Sequence, residues 1–508
     1  MGSKIRISQI FIHGVKWQAV GQTFVNIMKF VTMMILARLL VPQDFGLFGI
    51  VQIFLSVGSS IIRMSILPAV VQREKINDAF LFSANSLALI IGVIFSFLFF
   101  YSASPLSVFF NNNRLILIIK ILSVQFIFDS LSLVPLAVLR KKVDYKSLFY
   151  IRSYSYILGY AFISILLAFL GFGVFSLVWG SIANSLLLFL ISLNILKRNN
   201  FKFKFKLRIN EIKKIIKFGS WTALTHVVNL GAVKGDYFIV GKFMGDFSLG
   251  IYSKAYYLMQ FGSTSIIEVF SNVLFPVFSK IQNDKEKMKR FILGFIPLLS
   301  IVTFSITILI FFTAKSIVIT ILGSKWLPVV LPLKILILFG VFRGLYKVFD
   351  SVILALGKVK EQFFIHTIYM ILIIGLSYTG IKWGLKGVSY GVGLSIFFVF
   401  IILFVFLCNL LNIKIYEFFL MLKPIFIYGF SFFIIFFIAK MSIIIDNHFF
   451  YLFLMIVLWF LILFFLVVIF RLRFFNEDFY FLIRITLYLY PGFIRNILMR
   501  FVDRDLIQ

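Results

Sequence analysis

Several long apolar runs in this sequence each carry a stripe of polar and charged side chains along one helical face. In the first run, Gln22, Asn26 and Lys29 fall within an arc of about 80° when each residue advances by about 100°. In the second run, Ser59 and Arg63 share a face in the same way. Ionisable groups are costly at membrane depth unless they are paired or hydrated, so each is a candidate functional group. The stripes must therefore face one another or a water-filled cavity.

The excess of basic side chains in these stripes predicts a hydrated, cationic lumen that suits an anionic and hydrophilic ligand. The basic candidates for ligand binding are Lys29, Arg63, Lys254, Arg343 and Lys347. The alternative is that the stripes supply hydrogen bonds between packed helices, each worth about 0.6 kcal/mol. That alternative is favoured for the serine, threonine and asparagine residues, whereas the lumen is favoured for Lys29, Arg63 and Arg343.

Acidic groups and a histidine in the same runs are candidates for binding a driving cation or carrying a proton. They are Asp129, His226, Asp236, Glu268 and Asp350. The spacing of Arg343, Lys347 and Asp350 also favours an ion pair within one helix. The sequence contains no HExxH, CxxC or P-loop motif, so neither ATP hydrolysis nor a metal site is expected. The expected cofactors are therefore none, apart from Na⁺ or H⁺ as a coupling ion.

The composition shows what kind of chain must position these side chains. Of its 508 residues, 61% are hydrophobic and 14% are charged, and the mean hydropathy is +1.06. Soluble domains contain about 45–50% apolar and about 25% charged residues, so a soluble or disordered protein is excluded. Apolar runs of about 20 residues without strict alternation argue against an outer-membrane barrel. We predict an all-α polytopic membrane protein with about fourteen transmembrane helices.

The net charge of +31 comes mostly from short segments between the predicted spans. With the N-terminus in the cytoplasm, 34 Lys and Arg fall on the cytoplasmic side of the spans and 8 on the outer side. This asymmetry predicts a multi-pass protein of the bacterial cytoplasmic membrane with both termini inside. Nucleic acid is not an expected partner, because no basic run accompanies a nucleic-acid motif. The largest inner segment, 196–214, is basic and amphipathic and suits an anionic lipid surface.

Two halves of the chain align when one is shifted by 204 residues, so that Trp17 matches Trp221 and Gly46 matches Gly250. Each half holds six predicted spans, an even number, and the halves therefore form a parallel repeat in one orientation. Such repeats commonly form two lobes around a central cavity. The predicted domains are an N-terminal lobe at 1–200, a C-terminal lobe at 201–412, two extra helices at 413–473 and an interfacial cytoplasmic tail at 474–508.

Five segments resemble a known family. They are "ARLLVPQDFGLFGIVQIF" at Ala37–Phe54, "LPAVVQREKINDA" at Leu67–Ala79, "LGFGVFSLVWGSI" at Leu170–Ile182, "GDYFIVGKFMGDFSLGIYSKAYYL" at Gly235–Leu258 and "LGSKWLPVVLPLKIL" at Leu322–Leu336. They resemble the Wzx-type flippases, which include O-antigen, colanic-acid and teichuronic-acid exporters and share a superfamily with the lipid II flippase and multidrug extruders. The resemblance implies two six-helix lobes and alternating access. It further implies a substrate in which an oligosaccharide repeat unit is carried on undecaprenyl diphosphate and moves to the outer leaflet.

The implied partners are this lipid-linked oligosaccharide, membrane lipid, a glycan polymerase and a chain-length regulator. A gradient of protons or sodium ions would drive transport, and no catalytic residue is required because no covalent bond changes. Two alternatives stay open. A multidrug exporter on the same scaffold would need an acidic or aromatic cavity, which the basic stripes argue against. A membrane glycan polymerase or lipid-linked glycosyltransferase usually needs a long outer loop, and no predicted outer loop exceeds about 15 residues.

Overall fold

The computed structural model describes residues 2–73, 77–198, 203–282, 284–443 and 445–469. In these ranges the regular elements are helices, and strands are absent. A helix satisfies its own backbone hydrogen bonds, which is what a lipid environment demands of a spanning segment. The predicted all-α class is confirmed. The predicted interfacial tail at 474–508 lies outside the described residues.

The chain divides into two compact units, and the first is Met1–Ser253. Its helices are α1 (Gly2–Leu39), α2 (Pro42–Gln72), α3 (Asp78–Tyr101), α4 (Ala103–Phe109), α5 (Arg114–Leu122), α6 (Gln125–Lys141), α7 (Tyr145–Tyr154), α8 (Ile163–Phe169), α9 (Val174–Arg198) and the first part of α10 (Ile209–Ile281). A π-helical segment, Ser155–Phe162, joins α7 to α8. Helix α10 breaks at Gly245, where φ is 81° and ψ is 179°, and is therefore two helices in sequence.

The second unit is Lys254–Gln508. Its further helices are α11 (Lys285–Ile321), α12 (Val330–Leu338), α13 (Gly340–Ala355), α14 (Val359–Gly380), α15 (Gly384–Leu411), α16 (Ile415–Ser442) and α17 (His448–Ile469). Helix α13 packs against α11, α14 and α15. Helices α16 and α17 both pack on α11, around a core that contains Ile308, Phe432, Phe436 and Met455.

The helix count agrees with the sequence. Leaving aside the seven-residue α4, taking α10 as two helices and joining α5 to α6, α7 to α8 and α12 to α13, the described residues form fourteen long helical segments. By length and composition, nine stretches of the described ranges qualify to cross a membrane, or ten if Ser324–Leu338 and Gly340–Ala355, bent by 49°, form one span. One of the nine, Val359–Leu411, contains both α14 and α15. The prediction of about fourteen helices is confirmed.

Local signals explain where several helices begin and end. The side chain of Asn77 accepts a hydrogen bond from the Phe80 backbone at 2.9 Å, which caps α3. Asp144 caps α7 by accepting from the Ser147 backbone at 3.0 Å. Between α8 and α9 the chain reverses at Gly171–Gly173, where both glycines have positive φ and a side chain would be strained.

Helix α6 lies between α2, α3 and α9, while α1 packs against α7. Small residues allow these helices to approach closely. A Cβ at Gly92 of α3 would meet Ser130 of α6, and a Cβ at Gly159 would meet the α9 backbone at Asn184. Close packing of this kind supplies most of the attraction between helices in lipid. It also holds the polar faces of α2, α6 and α9 beside one another.

The repeat is visible within the first unit. A Cβ at Gly46 would overlap the backbone carbonyl oxygen of Asp246, and a Cβ at Gly250 would overlap that of Pro42. Residues 246 and 250 follow 42 and 46 by the offset of 204 that aligns the two halves. The two contacts are therefore reciprocal, as expected when two copies of one hairpin meet about a pseudo-two-fold axis.

Candidate functional site

A cavity of about 540 Å³ opens in the first unit, and its walls come from α1, α2, α6, α7, the π-helical segment and α9. This volume lies within the range of about 300–1,000 Å³ that is usual for small-molecule sites. Three of the predicted site residues, Lys29, Arg63 and Asp129, line it. The polar stripes of α1, α2 and α6 therefore converge on one space, as their helical phase predicts.

Among the residues that the structure describes, four basic residues and one acidic residue line this cavity. The basic residues are Lys29, Arg63, Arg140 and Arg152, and the acidic residue is Asp129. The guanidinium groups of Arg63, Arg140 and Arg152 lie close enough to act on one another electrostatically. Because like charges repel in a partly dehydrated space, their proximity favours a multiply charged anion between them.

Arg140 and Arg152 are not among the site residues that the sequence predicts, because both lie near the ends of apolar runs, where basic residues are typical of inner loops. A signal for Arg152 was present in the sequence. The residues of α7 and the π-helical segment that line the cavity are Tyr145, Leu148, Phe149, Arg152, Ser155 and Tyr156, which follow a spacing of three and four. The first half of this face precedes the apolar run, so hydropathy alone places it in an inner segment.

One end of the cavity is built around the carboxylate of Asp129. Ser59 on α2 donates a hydrogen bond to one oxygen at 2.9 Å, and Ser185 on α9 donates to the other at 2.7 Å. One turn earlier on α6, the side-chain oxygen of Gln125 accepts from Ser181 at 2.9 Å. These bonds join α2, α6 and α9 at this depth of the membrane.

Lys29 and an aromatic cluster complete the wall formed by α1. The ammonium nitrogen of Lys29 lies 6.0 Å from the ring centroid of Tyr156, and its side chain is exposed. Trp17 packs on Phe149 with ring centroids 5.6 Å apart, and Lys146 lies 5.8 Å from the Trp17 ring. The aromatic side chains thus lie near the α6–α7 turn, beside the arginines.

Asp236, also in the first unit, is buried rather than hydrated, with a side chain only 1% exposed. It accepts a hydrogen bond from the hydroxyl of Tyr252 at 2.6 Å and from the Tyr237 backbone at 2.8 Å. Asp236 precedes the break at Gly245 and Tyr252 follows it. The bond therefore joins the two parts of α10.

The second unit holds Lys254, Arg343, Lys347 and Asp350. Lys254 and Lys347 are half-buried, and Arg343 is buried with its guanidinium 4.9 Å from the ring centroid of Tyr256. A cation over an aromatic face is stabilised even when it is removed from water. Two further candidates, His226 and Glu268, have side chains that lie outside the described residues.

Asp350 finds its partners on the next helix rather than on its own. Gln362 donates to one carboxylate oxygen at 2.7 Å, and the His366 ring nitrogen Nε2 lies 3.1 Å from the same oxygen. The other His366 ring nitrogen lies 3.4 Å from the Tyr346 hydroxyl. The ion pair expected from spacing alone thus gives way to a polar cluster between α13 and α14, since side chains across a helix interface approach more closely.

Comparisons with known proteins agree with this architecture. The family described as "Polysaccharide biosynthesis protein" matches residues 35–331. Teichuronic acid biosynthesis protein TuaB of Bacillus subtilis (strain 168) is 23% identical over 369 residues, 70% of this chain and 74% of TuaB. Lipopolysaccharide biosynthesis protein WzxC of Escherichia coli (strain K12) is 21% identical over 352 residues, 69% of this chain and 71% of WzxC.

In structure, the chain is similar to the lipid II flippase MurJ in an inward closed conformation. The TM-score is 0.73 at 18% identity, and the match covers 89% of this chain and 98% of that one. This likeness confirms the predicted transporter fold, and the family match spans more than half of the sequence. The chain is a multi-pass membrane protein that belongs to the polysaccharide biosynthesis protein family.

Proposed function

We propose that this protein is a flippase that moves an oligosaccharide carried on undecaprenyl diphosphate from the cytoplasmic to the outer leaflet of the bacterial cytoplasmic membrane. The observation that carries the proposal is the cavity of the first unit. It lies among membrane-spanning helices, and its described lining includes four basic residues and one acidic residue. A cavity with this charge, at this depth, is suited to the charged head of a lipid.

The physical problem that such a protein solves is the crossing of about 30 Å of hydrocarbon by a diphosphate and its sugars. Leaving water without compensating partners costs a charged group many kcal/mol. The guanidinium groups of Arg63, Arg140 and Arg152 can each bind phosphate oxygens through two parallel hydrogen bonds. The prenyl tail is as apolar as the membrane interior and needs no cavity.

The names of the relatives support a substrate of this class. TuaB is a teichuronic acid biosynthesis protein, WzxC is a lipopolysaccharide biosynthesis protein and MurJ is a lipid II flippase. We propose that the substrate of this chain is also a lipid-linked glycan. We further propose that its partners are a glycan polymerase and a chain-length regulator. The multidrug alternative is disfavoured because cationic drugs would meet repulsion from the four basic residues in the cavity.

A gradient of protons or sodium ions is the proposed source of energy, with alternating access as the proposed cycle. Among the acidic groups that the structure describes, the Asp350–His366 pair of the second unit is the proposed carrier of the coupling ion. The charge asymmetry of the loops supports the orientation in which both termini are cytoplasmic.

The test uses the source bacterium without its own copy of the gene, complemented by wild type or by an Arg140→Gln/Arg152→Gln double variant. We expect the variant to lose surface glycan and to accumulate full-length lipid-linked repeat units in the cytoplasmic leaflet. The control is Arg114→Gln, which removes an exposed arginine at the start of α5. Full export by the double variant at normal protein level would show that the cavity does not bind the substrate.

A further inference from the structure

The charges of the cavity are unevenly distributed. Arg140 lies at the end of α6, beside the α6–α7 turn, whereas Asp129 lies eleven residues earlier. At about 1.5 Å per residue this places Asp129 about 16 Å deeper along the helix. Arg63, one turn from Ser59 on α2, lies between the two levels. The cavity therefore has an arginine-rich end near the turn and a deep end that contains a carboxylate.

The deep end is rich in hydrogen-bond acceptors. A serine hydroxyl has a single hydrogen, and those of Ser59 and Ser185 are both donated to Asp129. Both serine oxygens keep acceptor capacity, and the carboxylate, with about four acceptor sites, keeps about two beyond these bonds. A ligand that binds here must bring donors. Gln125 and Asn184 also line the cavity. Their amide nitrogens can donate hydrogen bonds, so a ligand with both donor and acceptor groups would find partners for both.

The surrounding charges restrict which donor can bind. A metal cation or an ammonium group would share the cavity with four basic residues. A sugar that carries its own carboxylate would be repelled by Asp129 at close range. An uncharged sugar escapes both penalties, because its hydroxyl groups donate and accept without adding charge. The deep end thus matches an uncharged sugar better than a cation or an acidic sugar.

We infer that Asp129, Ser59 and Ser185 form a specificity-determining subsite for an uncharged sugar of the lipid-linked substrate, separate from the arginines that hold its diphosphate. This inference rests on the proposed function and adds a selectivity to it. Asp129 acts by accepting hydrogen bonds from sugar hydroxyls, and the two serines fix the orientation of its carboxylate. A repeat unit with an acidic sugar in this position should be a poor substrate.

The experiment measures lipid binding to purified full-length protein in nanodiscs. Three probes are compared: undecaprenyl diphosphate, the same lipid with one N-acetylglucosamine, and the same lipid with one glucuronic acid. We expect Asp129→Asn to weaken binding of the N-acetylglucosamine lipid by about tenfold, the scale of one lost charged hydrogen bond. Binding of the sugar-free lipid should stay within about twofold, and the preference against the glucuronic acid lipid should shrink.

The Arg140→Gln/Arg152→Gln variant is the matched control and should weaken binding of all three lipids. If the wild type binds none of them, the proposed function itself fails. If the wild type binds them but Asp129→Asn changes all three equally, or none, the sugar subsite is wrong while the diphosphate site stands. If Asp129→Asn weakens lipid binding in a Na⁺ buffer but not in a choline buffer, Asp129 belongs to a cation site and the inference is overturned. Unchanged thermal unfolding of the variant shows that it has folded.

Discussion

In the first unit, Lys29 and Arg63 reach an open cavity, whereas in the second unit Asp350 and His366 are bonded to each other between two helices. Lys29, Arg63 and Asp350 all lie on polar stripes of apolar helices, so their sequence patterns look alike. Lys29 and Arg63 are exposed, while His366 is only 4% exposed. The same kind of stripe can thus line a cavity or join two helices.

This difference predicts which substitutions each region should tolerate. Hydrated side chains contribute little to stability, because water replaces any partner they lose. Buried and hydrogen-bonded side chains contribute more, because removing one leaves the other without its partner. Substitutions in the cavity should therefore affect substrate binding, and substitutions in the α13–α14 cluster should affect folding.

The largest effect on stability is expected at Gly250, a position of the first unit that has no room for a side chain. Gly250→Val would place bulk against the Pro42 carbonyl, and we expect at least about 3 kcal/mol of destabilisation or loss of folded protein. Folded yield and unfolding temperature in detergent measure it. Gly375→Ala is the control, since no atom lies within 4 Å of its added Cβ and alanine favours a helix. A stable Gly250→Val protein would contradict the reciprocal contact.

In the second unit, His366→Ala removes the ring between Asp350 and Tyr346. We expect about 1–3 kcal/mol of destabilisation, because a buried hydrogen-bonded group is lost. Binding of undecaprenyl diphosphate to the folded fraction should be unchanged. Denaturant unfolding and lipid binding, measured on one preparation, separate the two effects. Strongly weakened lipid binding at unchanged stability would assign this cluster to the transport site and erase the contrast between the units.

In the cavity, the opposite pattern is expected for Arg63→Gln, which replaces an exposed side chain. Stability should change by less than about 0.5 kcal/mol, as for most exposed positions. Affinity for undecaprenyl diphosphate should fall severalfold, because one phosphate partner is lost. The same two assays test it, and a large loss of stability would indicate a packing role for this arginine.

The smallest effect concerns an ion pair outside the predicted spans, between Lys289 of α11 and Glu417 of α16, at 2.8 Å. The hydrogen bond from Lys289 lowers the pKa of Glu417. A lowered pKa in the folded state gives stability that is present at neutral pH and is lost as the pH falls through that pKa. We expect Lys289→Met to cost up to about 1 kcal/mol at pH 7 and less at pH 3. An equal loss of stability at pH 7 and at pH 3 would show that the ion pair with Glu417 is not its cause.

Much of the fold could be predicted from the sequence. The fourteen segments follow from apolar runs long enough to span lipid, and the turn at Gly171–Gly173 follows from its glycines. For the site, helical phase brought Lys29, Arg63 and Asp129 to one cavity. Helical phase predicts these site residues because an unpaired charge that faces lipid is costly. A polar stripe must therefore face the interior of the protein.

The remaining features depend on contacts between helices. Arg140 and Arg152 join the cavity because α6 and α7 carry their polar faces further toward the turn than the apolar runs suggest. Asp350 is bonded to α14 because packing places Gln362 and His366 opposite it, at distances that spacing within one helix cannot reveal. The close approach of the π-helical segment to α9 at Gly159 likewise depends on the packing of these two elements, which the sequence of either one does not reveal.

The sequence by itself determined that this chain is a helical membrane protein with an internal repeat, and which helical faces must avoid lipid. The cost of exposing polar groups to hydrocarbon acts on each helix separately, so it can be worked out segment by segment. Only the tertiary structure decided which of those faces surround water and which bond to one another. That choice depends on how closely two helices approach, and small residues such as Gly92 and Gly159 set the approach only once their partners are in place.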